Sequence, residues 1–251
     1  MTETFLILLA AGVMLAGFIS NPRDVTLHWL RLAGIIALAV ASLSVYFFLR
    51  RPDWRAVQPL AFYGVSGVAI LGQLGFVQVA WHRTQRVLAG IAVIAGIGTA
   101  VALASAGTSN ALWIIILSCA GVAAMVGLAL MDMLLGHAYL TASKMTMKPF
   151  RRLNASLAIV TAARSAFAMG LTMALLHRHP IEFFWDRFGI LVITRWLVGL
   201  AVPAVFIYMT HDCIKRRATQ SATGILYVAG LLVFVGELAG LYLTRETGLP
   251  F

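Results

Sequence analysis

Residues 111–152 read ALWIIILSCAGVAAMVGLALMDMLLGHAYLTASKMTMKPFRR, and this stretch decides the fold. From Ala111 to Leu135 it carries a single charge, Asp132. A helix of a water-soluble protein keeps one polar face. A helix that is apolar all round for about twenty residues is built to cross hydrocarbon. Lys144, Lys148, Arg151 and Arg152 follow at once. A basic loop after an apolar run reads as a helix end held at one membrane face.

The same pattern extends in both directions. Of the 251 residues, 61% are hydrophobic and 11% charged, more apolar surface than a soluble chain of this length needs. Apolar runs predict eight helices, over residues 3–20, 27–49, 56–81, 87–106, 111–137, 153–177, 184–210 and 221–244. In lipid the backbone must satisfy its own hydrogen bonds, so these runs are read as helices. The fold class is all-α: a polytopic integral membrane protein, one transmembrane helical domain over residues 1–251. The first run starts with Glu3 and no Lys or Arg, so it reads as a retained helix and not as a cleaved signal.

The net charge of +10 does not point to nucleic acid. That reading needs a basic patch on a soluble face, and here the cations sit in short loops. An even number of spans leaves both termini on one side. One set of loops and helix ends then holds Arg23, Arg31, Arg83, Arg86, Lys144, Lys148, Arg151, Arg152, Lys215, Arg216 and Arg217, eleven cations. The opposite set holds Arg50, Arg51, Arg55, Arg178, Arg187 and Arg245, six. Positive-inside counting puts the first set in the cytoplasm and both termini outside, in a membrane of the bacterial inner type. The partners expected are the lipid bilayer and other membrane or peripheral subunits. Nucleic acid is not among them.

Charges at membrane depth cost roughly 2.5–3.5 kcal/mol each on insertion scales, so they normally face partners or a cavity. Four stand out: Asp132, Arg164, Arg195 and Glu237. Arg195 and Glu237 lie at similar depth on sequential helices, which predicts an ion pair. Glu237 also falls within Gly236–Gly240, a spacing that lets helices approach closely. Pro203 removes the hydrogen bond to the Gly199 carbonyl, one turn from Arg195, and predicts a kink in the seventh helix. Asp132 and Arg164 are expected to pair by snorkelling across a modest depth offset. Ala158, Ala162, Ala166 and Gly170 recur every four residues on the sixth helix and predict a tight packing seam.

His137 is five residues from Asp132, roughly 140° around the helix, and Tyr139 is seven residues away on the same face. His82, His137 and His211 are placed at matched, shallow depths, with His28 nearby and His177 and His179 at the other boundary. Asp132, His137, Tyr139, Arg164, His82 and His211 are therefore the candidates for holding a quinone headgroup or moving protons. Arg195 and Glu237 are the candidates for a buried ion pair. Two histidines could instead ligate a b-type haem, a weaker candidate because such ligands are expected deeper. No metal site, Walker loop, zinc-protease motif or nucleophile elbow is present in the sequence.

In helix count and polar placement the chain is similar in outline to the quinol-binding membrane anchors of respiratory oxidoreductases, a likeness that covers no motif. It implies a membrane subunit of an energy-transducing complex that handles quinone or protons. A small secondary transporter, with Arg195 by the kink binding an anion, is the main rival. A scaffold subunit without chemistry is the third reading.

Overall fold

The computed structural model describes every residue except 53–55, 79–80, 107, 109, 142–145 and 179–180. Arg55, Lys144 and His179 lie outside the described residues. The helices are α1 (Thr2–Ile19), α2 (Leu27–Leu49), α3 (Val57–Gln78), α4 (His82–Ser105), α5 (Leu112–Thr141) and α6 (Lys148–Arg178). The seventh span is composite: α7 (Ile181–Ile193), a π-helical segment (Thr194–Ala201) and α8 (Val202–Lys215). The last span is α9 (Thr219–Thr247). Among the described residues, eight spans are long and apolar enough to cross a membrane.

The helices outrun their apolar runs. α5 continues four residues past the expected end, and α6 begins at Lys148, five residues before the expected start. The chain stays helical as it leaves the apolar zone, because i,i+4 backbone bonds need no hydrophobic side chain. Lys148, Arg151 and Arg152 therefore stand on the first turns of α6 and not in a loop. Asp132 consequently lies nine residues from the end of α5, about 13 Å at 1.5 Å per residue, further from the helix end than the sequence suggested.

α1 and α5 form the axis. α1 packs on α2, α4 and α5, while α5 also packs on α6 and α9. Other neighbouring pairs include α2 with α3, α3 with α4, α4 with α5, α6 with α8, α7 with α9, and α8 and the π segment with α9. The α1–α5 crossing rests on two glycines. A Cβ on Gly12 would fall on the Ala123 carbonyl, and one on Gly127 would fall on the Gly12 backbone. With no side chain at either position the backbones touch, and dispersion contacts accumulate where lipid offers no hydrophobic driving force.

The predicted kink takes the form of the π segment, which ends just before Pro203. Proline has no N–H to give, so the ladder relaxes ahead of it. Gly199 in this segment meets Gly236 of α9 so closely that a Cβ on either would strike the other's backbone.

Beside this, the expected seam on α6 is not a seam. Ala158, Ala162, Ala166 and Gly170 are all exposed, with no helix laid against them. Small side chains here leave a trench, because the face that packs inward from α6 is another one, which includes Phe150, Leu153, Leu157, Thr161, Arg164 and Leu171.

Candidate functional site

Three polar clusters lie within the spans. The first joins α6, the π segment and α9 around Glu237, which is completely buried. Arg164 Nε and Nη2 donate to Glu237 Oε1 and Oε2 at 3.3 and 3.0 Å. Arg195 Nη1 lies 2.8 Å from Oε1, an ion-pair contact without hydrogen-bond alignment. Both guanidiniums are buried, and Arg164 Nη1 and Arg195 Nε and Nη2 have no partner in the structure. Two glycines make the room. A Cβ on Gly121 would sit 3.1 Å from Arg164 Cδ, and one on Gly240 would sit 3.3 Å from Arg195 Nε.

The predicted Arg195–Glu237 pair is therefore present, but the predicted Asp132–Arg164 pair is not. Arg164 reaches Glu237 instead. The reason is geometric: Asp132 lies nearer the start of α6, where its neighbour is Asn154, while Arg164 stands ten residues further along α6. Two guanidiniums around one carboxylate leave the cluster with a formal charge of +1.

Asp132 forms the second cluster. It has no exposed surface, and its Oδ2 accepts from Asn154 Nδ2 at 3.3 Å. Asp132 Oδ1 and Asn154 Oδ1 have no partner in the structure. Nothing in the sequence tied Asn154 to Asp132, because the two stand on different helices, 22 residues apart in the chain. Asn154 also opens onto the trench, which forms one wall of a groove of about 460 Å³ between α6 and α8. Ala158, Ile159 and Ala162 line one side, Ala204, Ile207 and Tyr208 the other. Asn154 and His211 mark its polar end, towards the loops that carry most of the basic residues. On the far side, Trp196 Nε1 donates to Thr172 Oγ1 at 3.3 Å and ties the seventh span to α6.

The third cluster was missed in the sequence. Glu3 at the start of α1 accepts from Arg51 Nη1 at 2.8 Å, and Ser44 Oγ donates to the Glu3 carbonyl at 2.6 Å. Ser44 also shares a 2.7 Å hydrogen bond with Tyr63, joining α1, α2 and α3. It staples helix ends and lies far along the chain from the groove.

No family model matches this chain, and no curated protein or solved structure does either. The remaining candidates are thus placed by geometry alone. Tyr139 is buried, stacks on Phe150 with centroids 5.2 Å apart, and donates to the Thr146 carbonyl. It braces the end of α5 against the start of α6 and does not join Asp132 in a site. His137 is exposed on another face of α5. His82 lines a separate recess of about 260 Å³ with Asn21, Arg23, Arg83 and Arg86. Of the three matched-depth histidines, only His211 reaches the groove. Asn154 bonds Asp132 and shares the groove lining with His211, and Arg164, Arg195 and Glu237 come together separately. No group of three metal-ligating side chains converges among the described residues.

Proposed function

We propose that the chain is a membrane subunit of an energy-transducing complex and that the groove between α6 and α8 takes quinone or quinol. One observation carries this reading: the groove is mostly apolar, with the Thr161 and Ser165 hydroxyls bonded to α6 carbonyls, ends at Asn154 and His211, and has a buried acid, Asp132, bonded behind that end. Its volume of about 460 Å³ lies within the usual range for small-molecule sites. An isoprenoid tail would lie against Ala158, Ile159 and Ala162. The headgroup would sit at His211 and Asn154, which can offer hydrogen bonds to a quinone carbonyl.

Quinone reduction takes up electrons and protons in equal number. The electrons come from a redox-active partner subunit in this scheme. His211 stands at the ligand and exchanges a proton with it, while Asp132, linked through Asn154, relays protons to and from the interior. With the basic loops in the cytoplasm, as positive-inside counting expects, the exchange would take place at the cytoplasmic leaflet. The test is quinol turnover by the assembled complex carrying Asp132→Asn. Turnover should fall while assembly survives. Unchanged turnover removes Asp132 from the mechanism.

A second reading, a transporter of small anions, is favoured by the Glu237 cluster. It carries excess positive charge on a π-helical segment, and interrupted helices of this kind hold substrates in transporters. Ion-driven anion uptake into vesicles, abolished by Arg195→Ala, would favour it over the quinone reading.

A further inference from the structure

Beside its polar end the groove is adjoined by a second recess. That recess has a volume of about 540 Å³ and is lined by Thr146, Met147, Lys148, Arg151, Arg152, Ala155 and Arg217. Ala155 lines both cavities, so they are adjacent. Four of the lining residues are cations and none is an acid. Among the described residues none of these four cations has an acidic partner. Asp212, the closest acid in sequence, is occupied by Arg216 at 3.0 Å.

Two features sharpen the imbalance. Lys148, Arg151 and Arg152 stand on the first turns of α6, where the helix dipole is already positive and favours an anion. Arg217 has a φ of 58°, the left-handed conformation that glycine usually supplies after a helix, and among the described residues it alone adopts this without being glycine. The turn after α8 thus presents a guanidinium to the recess where glycine would be the easier residue.

We propose that this composite cavity binds an anionic phospholipid, with its phosphate in the basic recess and one acyl chain along the α6–α8 groove. The charge of the recess selects the phosphate. The apolar continuation selects a lipid over a free phosphate, which would leave the groove unfilled. Ile159 and Tyr208, on opposite walls, are 70% and 74% exposed, so a chain enters sideways from the bilayer. The acyl chain and a quinone tail would use the same walls. Under the quinone reading the two ligands therefore exclude one another, and anionic lipid sets the apparent quinone affinity.

The test is native mass spectrometry of the full-length protein released from mixed micelles of phosphatidylglycerol and phosphatidylcholine. The wild type should retain one phosphatidylglycerol in preference to phosphatidylcholine by roughly tenfold, given what each basic residue contributes at an anionic surface. The double variant Arg151→Gln/Arg152→Gln changes only exposed side chains and should lose the preference. Ala158→Phe/Ala162→Phe should fill the groove and lower retention of both lipids. Millimolar inorganic phosphate should not displace the bound lipid. Equal retention of the two lipids by the wild type overturns the proposal, as does a preference that survives the glutamine pair. Displacement by phosphate with no effect of the phenylalanine pair would assign a free-anion site instead. The quinone reading fails on a different result, unchanged turnover in Asp132→Asn, which leaves lipid retention untouched.

Discussion

Arg164 and Arg195 share the carboxylate of Glu237 unequally: Arg164 makes two hydrogen bonds to it, and Arg195 makes a 2.8 Å contact without one. The two arginines belong to different spans, and Glu237 belongs to a third. One acid thus joins three of the four helices in the second half of the chain.

Neutralising that acid should be the most damaging single change in the cluster. Glu237→Gln leaves two buried guanidiniums facing each other. Breaking a buried pair in this way typically costs about 3–5 kcal/mol. Arg195→Met should be tolerated best, because it leaves one arginine and one glutamate joined by both hydrogen bonds. Thermal unfolding in mild detergent ranks the variants. A Glu237→Gln protein as stable as wild type would show that the cluster contributes no net stability.

The α1–α5 crossing makes a separate prediction. Gly12→Val places a branched side chain on the Ala123 carbonyl and should destabilise by about 1–3 kcal/mol or more, as overpacked sites do. Gly170→Ala is the matched control, since a Cβ there meets nothing within 4 Å. The crossing is disproved as a close contact if the two variants melt together.

Asp132 and Asn154 can be tested as a pair. Asn154→Leu strips Asp132 of its only observed partner and should cost about 1–3 kcal/mol, the usual penalty of an unsatisfied buried polar group. Adding Asp132→Leu should restore most of the loss, because two apolar groups need no bond. A double-mutant cycle on unfolding midpoints gives the coupling, and additive losses would show that the contact is idle.

Filling the groove should separate binding from stability. Ala162→Phe replaces an exposed residue, so its stability should stay within about 0.5 kcal/mol of wild type. Under the quinone reading KM for quinol should rise severalfold in steady-state assays of the complex. A normal KM would mean that the ligand binds elsewhere.

These expectations show what the sequence could and could not carry. Each span was visible as an apolar run, because lipid imposes the same demand on every residue of a crossing helix. The kink at Pro203 was visible because proline acts locally. Pairing was harder. Depth alone put Arg164 beside Asp132, but depth measured from the end of an apolar run ignores the helical turns beyond it. The correct partner was fixed by which faces of α6 and α9 meet. The four-residue repeat on α6 misled for a related reason. Small residues allow close packing without requiring it, and here nothing packs against them. Gly12 and Gly127 left no signature, since an isolated glycine in an apolar run looks the same whether it touches a backbone or a lipid tail.

The glycine crossing also bears on how the chain is made. A ribosome delivers domains in order from the N-terminus. α1 is made before α5, yet α5 is one of the three helices it packs against and emerges only after three further spans have been threaded. Until then its Gly12 face has lipid for a neighbour and no backbone to lie on. The birth order of the helices and their order of settling therefore differ, and α1 waits for α5 before it can take its final seat.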